Sequence, residues 1–220
     1  LTLASCLAAW ATETDAPRVR RYSFLGGPGL DAAADELRRI GEIWGRPDAV
    51  VVAASREVAG ATLQRADLLH VAAHGSFRLD NPFFSALEFT DGPLTVLEMI
   101  GFGRAPTVVV LASCDAGAGA AAGGRGSPAV VGTAAELRHV GARVVVAPPV
   151  VVNDRAAAEY AVRLHAELAA GRSIDDAAVR TRVRGAASSD PGMVAAAVAF
   201  TVFGDAGTRH PLVTRRDGGG

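Results

Sequence analysis

The sequence predicts an α/β fold in which helices cover both faces of a mostly parallel sheet. Segments rich in β-branched residues alternate with segments of helical periodicity along the chain. Two Val-rich runs, 108–111 and 144–146, are apolar at every position, which is typical of strands buried on both faces. Half of the residues are hydrophobic and only 5% are aromatic. We therefore expect a core of Ala, Val and Leu, with closely packed helices on the sheet.

The strands are predicted from short apolar and β-branched runs. They are 19–25, 49–53, 68–73, 107–112, 143–147 and 198–203. Residues 85–89, followed by Asp91-Gly92, resemble a short strand that enters a tight turn, as in one half of a hairpin.

The helices are predicted from apolar residues at helical spacing. In 30–44 these are Leu37, Ile40 and Trp44, and 130–140 repeats the pattern with Gly141 as its stop. Two further helices are expected at 154–170 and 174–187. The small residues of 117–127 follow neither period, so we expect a mobile loop there.

Length and charge limit the function classes. The 220 residues suit one domain, and 22 basic against 23 acidic residues leave a net charge of −1. Such a chain has no field to attract nucleic acid or an anionic membrane surface. Its apolar runs are too short for the ~18 residues of a membrane span.

The two cysteines, Cys6 and Cys114, are too few for a disulfide framework. A reducing compartment, and so a cytoplasmic location, is the simpler expectation. The chain begins at Leu1 rather than Met, so we expect a fragment of a longer protein whose upstream part is missing.

Three features follow the predicted central strands. His74-Gly75 follows one strand, Cys114 follows the run 108–112, and Asp154 comes after the run 144–147. Because ligands bind at the carboxyl ends of strands in open α/β sheets, His74 and Cys114 are expected to project into one crevice.

This pair has the chemistry of a cysteine hydrolase. A thiol attacks carbonyls as the thiolate, and a nearby imidazole lowers its pKa from ~8.5. His74 can then protonate the leaving amine, while the backbone N–H groups of Gly75 and Cys114 can stabilise the oxyanion. Taken alone, each of these side chains is more often structural. Their joint occurrence, with Gly directly after His and with His 40 positions before Cys, favours a catalytic role.

A set of spaced motifs runs through residues 22–204. The motifs are His70-x-x-x-His74-Gly75, Ser85-x-Leu87 before Asp91-Gly92-x-Leu94-Thr95, Leu111-Ala112-Ser113-Cys114-Asp115, Gly132 to Gly141-Ala142-Arg143-Val144-Val145, Asn153-Asp154, and Ala199-Phe200 to Gly204. Together they resemble the CHAT domain, a caspase-like module often found behind tetratricopeptide repeats in bacteria. The chain departs from the family at Pro149-Val150, where Leu-Trp is common, and at Asp115-Ala116, where Glu-Thr is usual.

The resemblance implies a caspase-like three-layer α/β sandwich and a cysteine endopeptidase with His74 and Cys114 as its dyad. It also implies that an acidic residue after the next strand, by position Asp154, binds a basic P1 side chain, as in separases. An N-cap role for Asp154 in the following helix is an equal alternative, and both roles could coexist. His70 shares the side of His74 by strand alternation but lies deeper, so we expect it to be buried and structural.

The resemblance also suggests how the chain is organised. Residues 1–21 are expected to be a boundary segment or an incomplete strand, 22–210 the peptidase domain and 211–220 a disordered tail. The expected partners are a protein or peptide substrate and an upstream repeat domain that regulates it. No cofactor or metal is expected.

The sequence has features of four other functions. Gly117-x-Gly119-x-x-x-Gly123 lacks the strand–turn–helix context of a dinucleotide site, and the absence of Lys excludes a Walker-type loop. A zinc site at His70, His74 and Cys114 has no fourth ligand at the usual spacing. The serious alternative is a caspase-like scaffold for protein interaction with a silent dyad.

Overall fold

The computed structural model describes residues 18–76, 78, 80–112, 128–204 and 213–214. Within them the strands are β1 (Arg18–Val19), β2 (Tyr22–Gly26), β3 (Val50–Val51), β4 (Leu68–Ala72), β5 (Gly75–Ser76), β6 (Ala86–Phe89), β7 (Gly92–Thr95), β8 (Val108–Leu111), β9 (Val144–Ala147), β10 (Thr201–Gly204) and β11 (Val213–Thr214). The helices are α1 (Ala33–Ile43), α2 (Arg56–Arg65), α3 (Val96–Gly101), α4 (Pro128–His139), α5 (Asp154–Ala169), α6 (Ile174–Ala186) and α7 (Pro191–Ala199).

A six-stranded sheet of order β10-β9-β8-β4-β2-β3 forms the centre of the fold. Its pairs are parallel except for β10, which is antiparallel to β9. β5, β6 and β7 form a separate antiparallel sheet, and β6 and β7 are the hairpin expected around Asp91-Gly92. The mostly parallel α/β sheet predicted from the sequence is therefore confirmed.

Side chains of the central strands alternate between two hydrophobic clusters. Val108 and Val110 of β8 belong to the cluster formed with α1, α5, α6 and α7, which we call the α5 face. Val109 and Leu111 belong to the cluster formed with α2, α3 and α4, which we call the α4 face. All four are buried, so β8 is covered on both sides as its uninterrupted apolar run predicts.

Several expected strand limits are wrong. The strand expected at 19–25 is interrupted between β1 and β2, and the strand expected at 49–53 is limited to β3. The strand predicted at 198–203 begins only at Thr201, because α7 continues to Ala199. The strand predicted to run up to His74 ends at Ala72, and His74 lies between it and β5.

Some sequence expectations fall outside the described residues. These include Cys6, Cys114 and the loop 117–127. Val213–Thr214, within the segment expected to be a disordered tail, instead form β11 beside β1. In the part of the chain that the structure describes, no helix is long and apolar enough to cross a bilayer.

Candidate active site

The edge that carries the candidate site is formed by the carboxyl ends of β4, β8 and β9. These three strands are parallel neighbours, so the segments that follow them emerge at one edge of the sheet. His74 follows β4 there, and Asp154 follows β9 as the first residue of α5. Cys114 follows β8 in sequence but lies outside the described residues.

His74 is fixed through both its backbone and its ring. Its carbonyl accepts a hydrogen bond from the Glu88 N–H at 2.8 Å, and its Nε2 lies 3.2 Å from the carbonyl oxygen of Gly29. A carbonyl only accepts, so this hydrogen bond requires the proton to be on Nε2. In the neutral ring, Nδ1 is then the basic nitrogen.

Gly75 occupies a distinct register position beside this histidine. Since the Glu88 N–H donates to the His74 carbonyl, residues 74 and 88 are a hydrogen-bonded pair of the antiparallel ladder. The next pair, Gly75 and Leu87, is therefore of the non-hydrogen-bonded kind. The ladder consequently does not use the Gly75 N–H.

Gly29, which orients His74, is absent from the sequence-based site. It has φ of +78°, and a Cβ built there would lie 3.4 Å from His74 Nε2. The left-handed backbone favours glycine at this position, and an added Cβ would be in van der Waals contact with the ring. The signal available in the sequence was the glycine-rich turn Gly26-Gly27-Pro28-Gly29 after the first strand.

The Asp154 side chain is hydrogen-bonded to the start of α1 and not to its own helix. The N-cap of α5 is Asn153, whose side chain accepts a hydrogen bond from the Ala156 N–H, so the N-cap alternative for Asp154 is wrong. Asp154 is half-buried, and its Oδ2 accepts a hydrogen bond from the Ala32 N–H at 3.1 Å. Ala32 is the N-cap residue of α1, so the carboxylate stabilises the start of another helix.

Behind this edge, four side chains form a polar chain inside the α5 face. Trp44 Nε1 donates to His165 Nδ1 at 3.0 Å, and His165 Nε2 lies 3.3 Å from His70 Nδ1. His70 Nε2 lies 3.0 Å from Glu36 Oε1, but the N–H is not directed at the oxygen. His70 is fully buried, as expected, whereas its partners were not predicted.

Burial disfavours charge along this polar chain. Desolvation lowers the pKa of His70 to about 3 and the pKa of His165 well below its usual value. Burial, with the nearby charge of Asp154, raises the pKa of Glu36 well above its usual value. Both imidazoles are therefore neutral at neutral pH, and the protonated form of Glu36 is favoured.

Among the described residues, metal-ligating side chains do not gather at this edge. Within the described ranges, no group of three or more His, Cys, Asp or Glu residues could hold a metal ion. The structure brings together His74, Asp154 and the turn 29–32, which contacts both of them.

Comparison with solved structures identifies the fold. The chain is similar to a chain of the Saccharomyces cerevisiae separase–securin complex, with a TM-score of 0.58 and 15% identity, over 92% of this chain and 13% of that one. It also matches the Drosophila initiator caspase Dronc, with a TM-score of 0.47 and 9% identity, over 91% of this chain and 85% of that one. The match to the separase chain shows that the three-layer sandwich is a caspase-like α/β fold.

Comparison with sequence families supports the resemblance found in the motifs. No curated protein matches the chain. The family model of the CHAT domain matches residues 8–201, which is most of the chain. The chain belongs to the CHAT domain family.

Proposed function

We propose that the chain is a cysteine endopeptidase of the caspase and separase type, which hydrolyses peptide bonds of a protein substrate. The observation that carries this proposal is the hydrogen bond between His74 Nε2 and the Gly29 carbonyl. It leaves Nδ1 as the base, at the sheet edge toward which β8 leads. The CHAT family and the caspase-like fold give independent support for a peptidase.

In the proposed reaction, His74 Nδ1 takes the proton of the Cys114 thiol. The thiolate forms a C–S bond with the scissile carbonyl, and the N–H groups of Gly75 and Cys114 stabilise the oxyanion. The C–N bond then breaks as His74 returns the proton to the leaving amine. Water, deprotonated by His74, hydrolyses the acyl-enzyme and restores the thiol. The unused ladder position of Gly75 supports its part in this scheme.

Asp154 is proposed to select a basic P1 residue. Its Oδ2 accepts a hydrogen bond from the Ala32 N–H, and the residue is half-buried at the edge that carries His74. A carboxylate oxygen that accepts one backbone hydrogen bond retains lone pairs for a guanidinium. The same side chain could therefore hold the turn before α1 and bind an Arg side chain.

Regulation is a further part of the proposal. We place the peptidase domain at 22–210, after a boundary segment at 1–21, in a cytoplasmic protein. The proposed partner is an upstream domain. In this family the upstream domain often consists of tetratricopeptide repeats. It would act on the segment that carries Cys114.

The first experiment is labelling of the chain, and of its parent protein with its trigger, by an acyloxymethyl-ketone peptide with P1 Arg. The proposal expects one modified thiol and complete loss of labelling in Cys114→Ala. Cys6→Ala is the matched control and should label as the wild type does. Absence of labelling in both proteins would favour the silent scaffold, and labelling that persists in Cys114→Ala would refute the nucleophile assignment.

P1 selectivity is tested with matched substitutions of Asp154. Asp154→Asn keeps an acceptor for the Ala32 N–H but loses the charge, whereas Asp154→Ala loses both. Both variants should lose their preference for P1 Arg over P1 Leu while Cys114 stays reactive. Equal rates with P1 Arg and P1 Leu in the wild type would refute the pocket and leave the dyad standing.

A further inference from the structure

The proposed mechanism does not use the polar chain of Trp44, His165, His70 and Glu36. Three of these side chains are essentially inaccessible, with exposures of 2% for Glu36 and 0% for both histidines. Buried polar groups are costly unless they are paired, so a connected set of them needs an explanation. The chain lies between α1, α5 and β4, on the α5 face of the sheet. His74 comes shortly after β4 in the sequence.

The chain has a fixed direction. An indole N–H can only donate, so Trp44 makes His165 Nδ1 an acceptor and places the His165 proton on Nε2. His165 Nε2 then donates to His70 Nδ1, which places the His70 proton on Nε2. His70 Nε2 therefore carries the proton and lies 3.0 Å from Glu36 Oε1, although its N–H is not directed at that oxygen.

Glu36 is also joined to the turn that contacts the candidate site. It lies in the first turn of α1, and its backbone N–H donates to the Ala32 carbonyl at 3.0 Å. The Ala32 N–H in turn donates to Asp154. Three residues before Ala32, the Gly29 carbonyl accepts from His74. The turn 29–32 is thus attached to β4, to α5 and to the ring of His74.

We propose that Glu36 is a positioning residue, which through its contact with His70 aligns the turn 29–32 between His74 and Asp154. The role in catalysis rests on the proposed function, but the alignment of the turn does not. Because burial favours the neutral form of Glu36, glutamine should replace it. Leucine, which has no polar group to place beside His70 Nε2, should not.

The charges around Glu36 agree with a neutral carboxyl group. His70 faces it from β4 and is neutral, while the Asp154 carboxylate on α5 disfavours a second negative charge. Arg39, on the same helix, favours ionisation of Glu36 but is the smallest of the three influences on its pKa. Glu36→Gln therefore resembles the favoured form of the side chain.

The experiment compares the wild type with Glu36→Gln, Glu36→Leu and the control Ile40→Val. Ile40 is buried on the same helix, belongs to the hydrophobic cluster and is not part of the polar chain. Two quantities are measured at pH 7: hydrogen exchange of a peptide spanning 27–37, and the rate of labelling by the P1 Arg probe. A displacement of ~1 Å at an active site can cost ~10²-fold in rate, so a loss of about tenfold in Glu36→Leu is expected.

The inference requires faster exchange and slower labelling in Glu36→Leu, with Glu36→Gln within about twofold of the wild type. It is overturned if Glu36→Leu equals the wild type in exchange, or if Ile40→Val changes as much as Glu36→Leu does. If the wild type itself is not labelled, the proposed protease fails, while the exchange data still decide the positioning role.

The pH profile decides the question if Glu36→Leu does not fold. A carboxyl group whose folded pKa is raised contributes stability that is complete below its usual value of 4.5 and is lost as the pH rises through the folded pKa. The exchange of 27–37 in the wild type should therefore accelerate relative to Glu36→Gln as the pH rises. A ratio that stays constant from pH 5 to pH 9 would falsify the inference.

Discussion

The two faces of the central sheet differ in what they bury. On the α4 face, β4 contributes Leu69 and Val71 to an apolar cluster that surrounds a small cavity of about 10 Å³, lined only by apolar side chains. On the α5 face, the residue between them, His70, joins a polar chain that contacts the turn beside His74. Adjacent residues of one strand thus serve different purposes, because alternate side chains of a strand face opposite ways.

The difference suggests that the α4 face mainly stabilises the fold, whereas the α5 face also positions the turn beside the site. Aliphatic packing is non-directional and contributes mainly to the free energy of unfolding. A chain of hydrogen bonds has a direction and permits few arrangements, so it is suited to holding a backbone turn in place. Substitutions on the α4 face should therefore change stability alone, whereas substitutions along the α5-face chain should also change the site.

The largest loss of stability is expected from Leu69→Ala on the α4 face. Leu69 is 2% exposed and already borders the cavity, so truncation enlarges a space that its neighbours do not fill. Such substitutions cost about 2–5 kcal/mol. Urea unfolding should show this loss, while the folded variant labels with the P1 Arg probe at the wild-type rate. A changed labelling rate in the folded protein would contradict the division between the faces.

A smaller loss is expected from Trp44→Phe at the far end of the polar chain. Phenylalanine retains a ring to pack on Tyr22 but leaves His165 Nδ1 buried without its donor. An unsatisfied buried acceptor costs about 1–3 kcal/mol, which urea unfolding can measure. The exchange of 27–37 should also accelerate, in contrast to Leu69→Ala. A variant as stable as the wild type would mean that the chain does not depend on this donor.

Gly29→Ala is expected to lower the free energy of unfolding less than Trp44→Phe does, but to slow labelling by the P1 Arg probe. A side chain in the left-handed region costs about 1–2 kcal/mol, and at position 29 it also approaches His74 Nε2. Gly45→Ala is the matched control, since Gly45 has φ of +64° and nothing lies within 4 Å of its added Cβ. We expect the two variants to have equal free energies of unfolding. Only Gly29→Ala should be labelled more slowly than the wild type. Equal labelling of the two variants would show that the Gly29 contact does not orient the ring.

The sheet could be predicted from the sequence because its central strands are buried on both faces. β8 and β9 are uninterrupted apolar runs, and no competing structure suits them at that length. The end of α7 was predicted as a strand because it, too, is an uninterrupted apolar run. Its segment Met193-Val194-Ala195-Ala196-Ala197-Val198-Ala199 has no polar face, so it lacks the periodicity that marks a helix. Its start did carry a signal, namely Asp190 followed by Pro191 at the first helical position.

The candidate site was predictable only where side chains follow strands. His74 could be found because it comes directly after an apolar run and before Gly75. Its partner could not, since the Gly29 carbonyl is a backbone group 45 positions away and any residue has one. The polar chain could not be predicted either. His70 and His165 are 95 positions apart, and only the packing of α5 on the sheet brings them together.

The smallest effect is expected where charges join the same two helices at the surface. Arg39 on α1 and Glu159 on α5 form an ion pair at 2.9 Å, with side chains 36% and 31% exposed. Solvent screens such a pair, so Glu159→Gln should cost no more than about 1 kcal/mol, and less at high salt. It should leave the exchange of 27–37 unchanged, although it lies at the α1–α5 contact that Trp44 and His165 also span. If Glu159→Gln accelerates that exchange as much as Trp44→Phe does, any loosening of α1 from α5 disturbs the turn. The alignment would then reside in the helix contact as a whole and not in the buried chain.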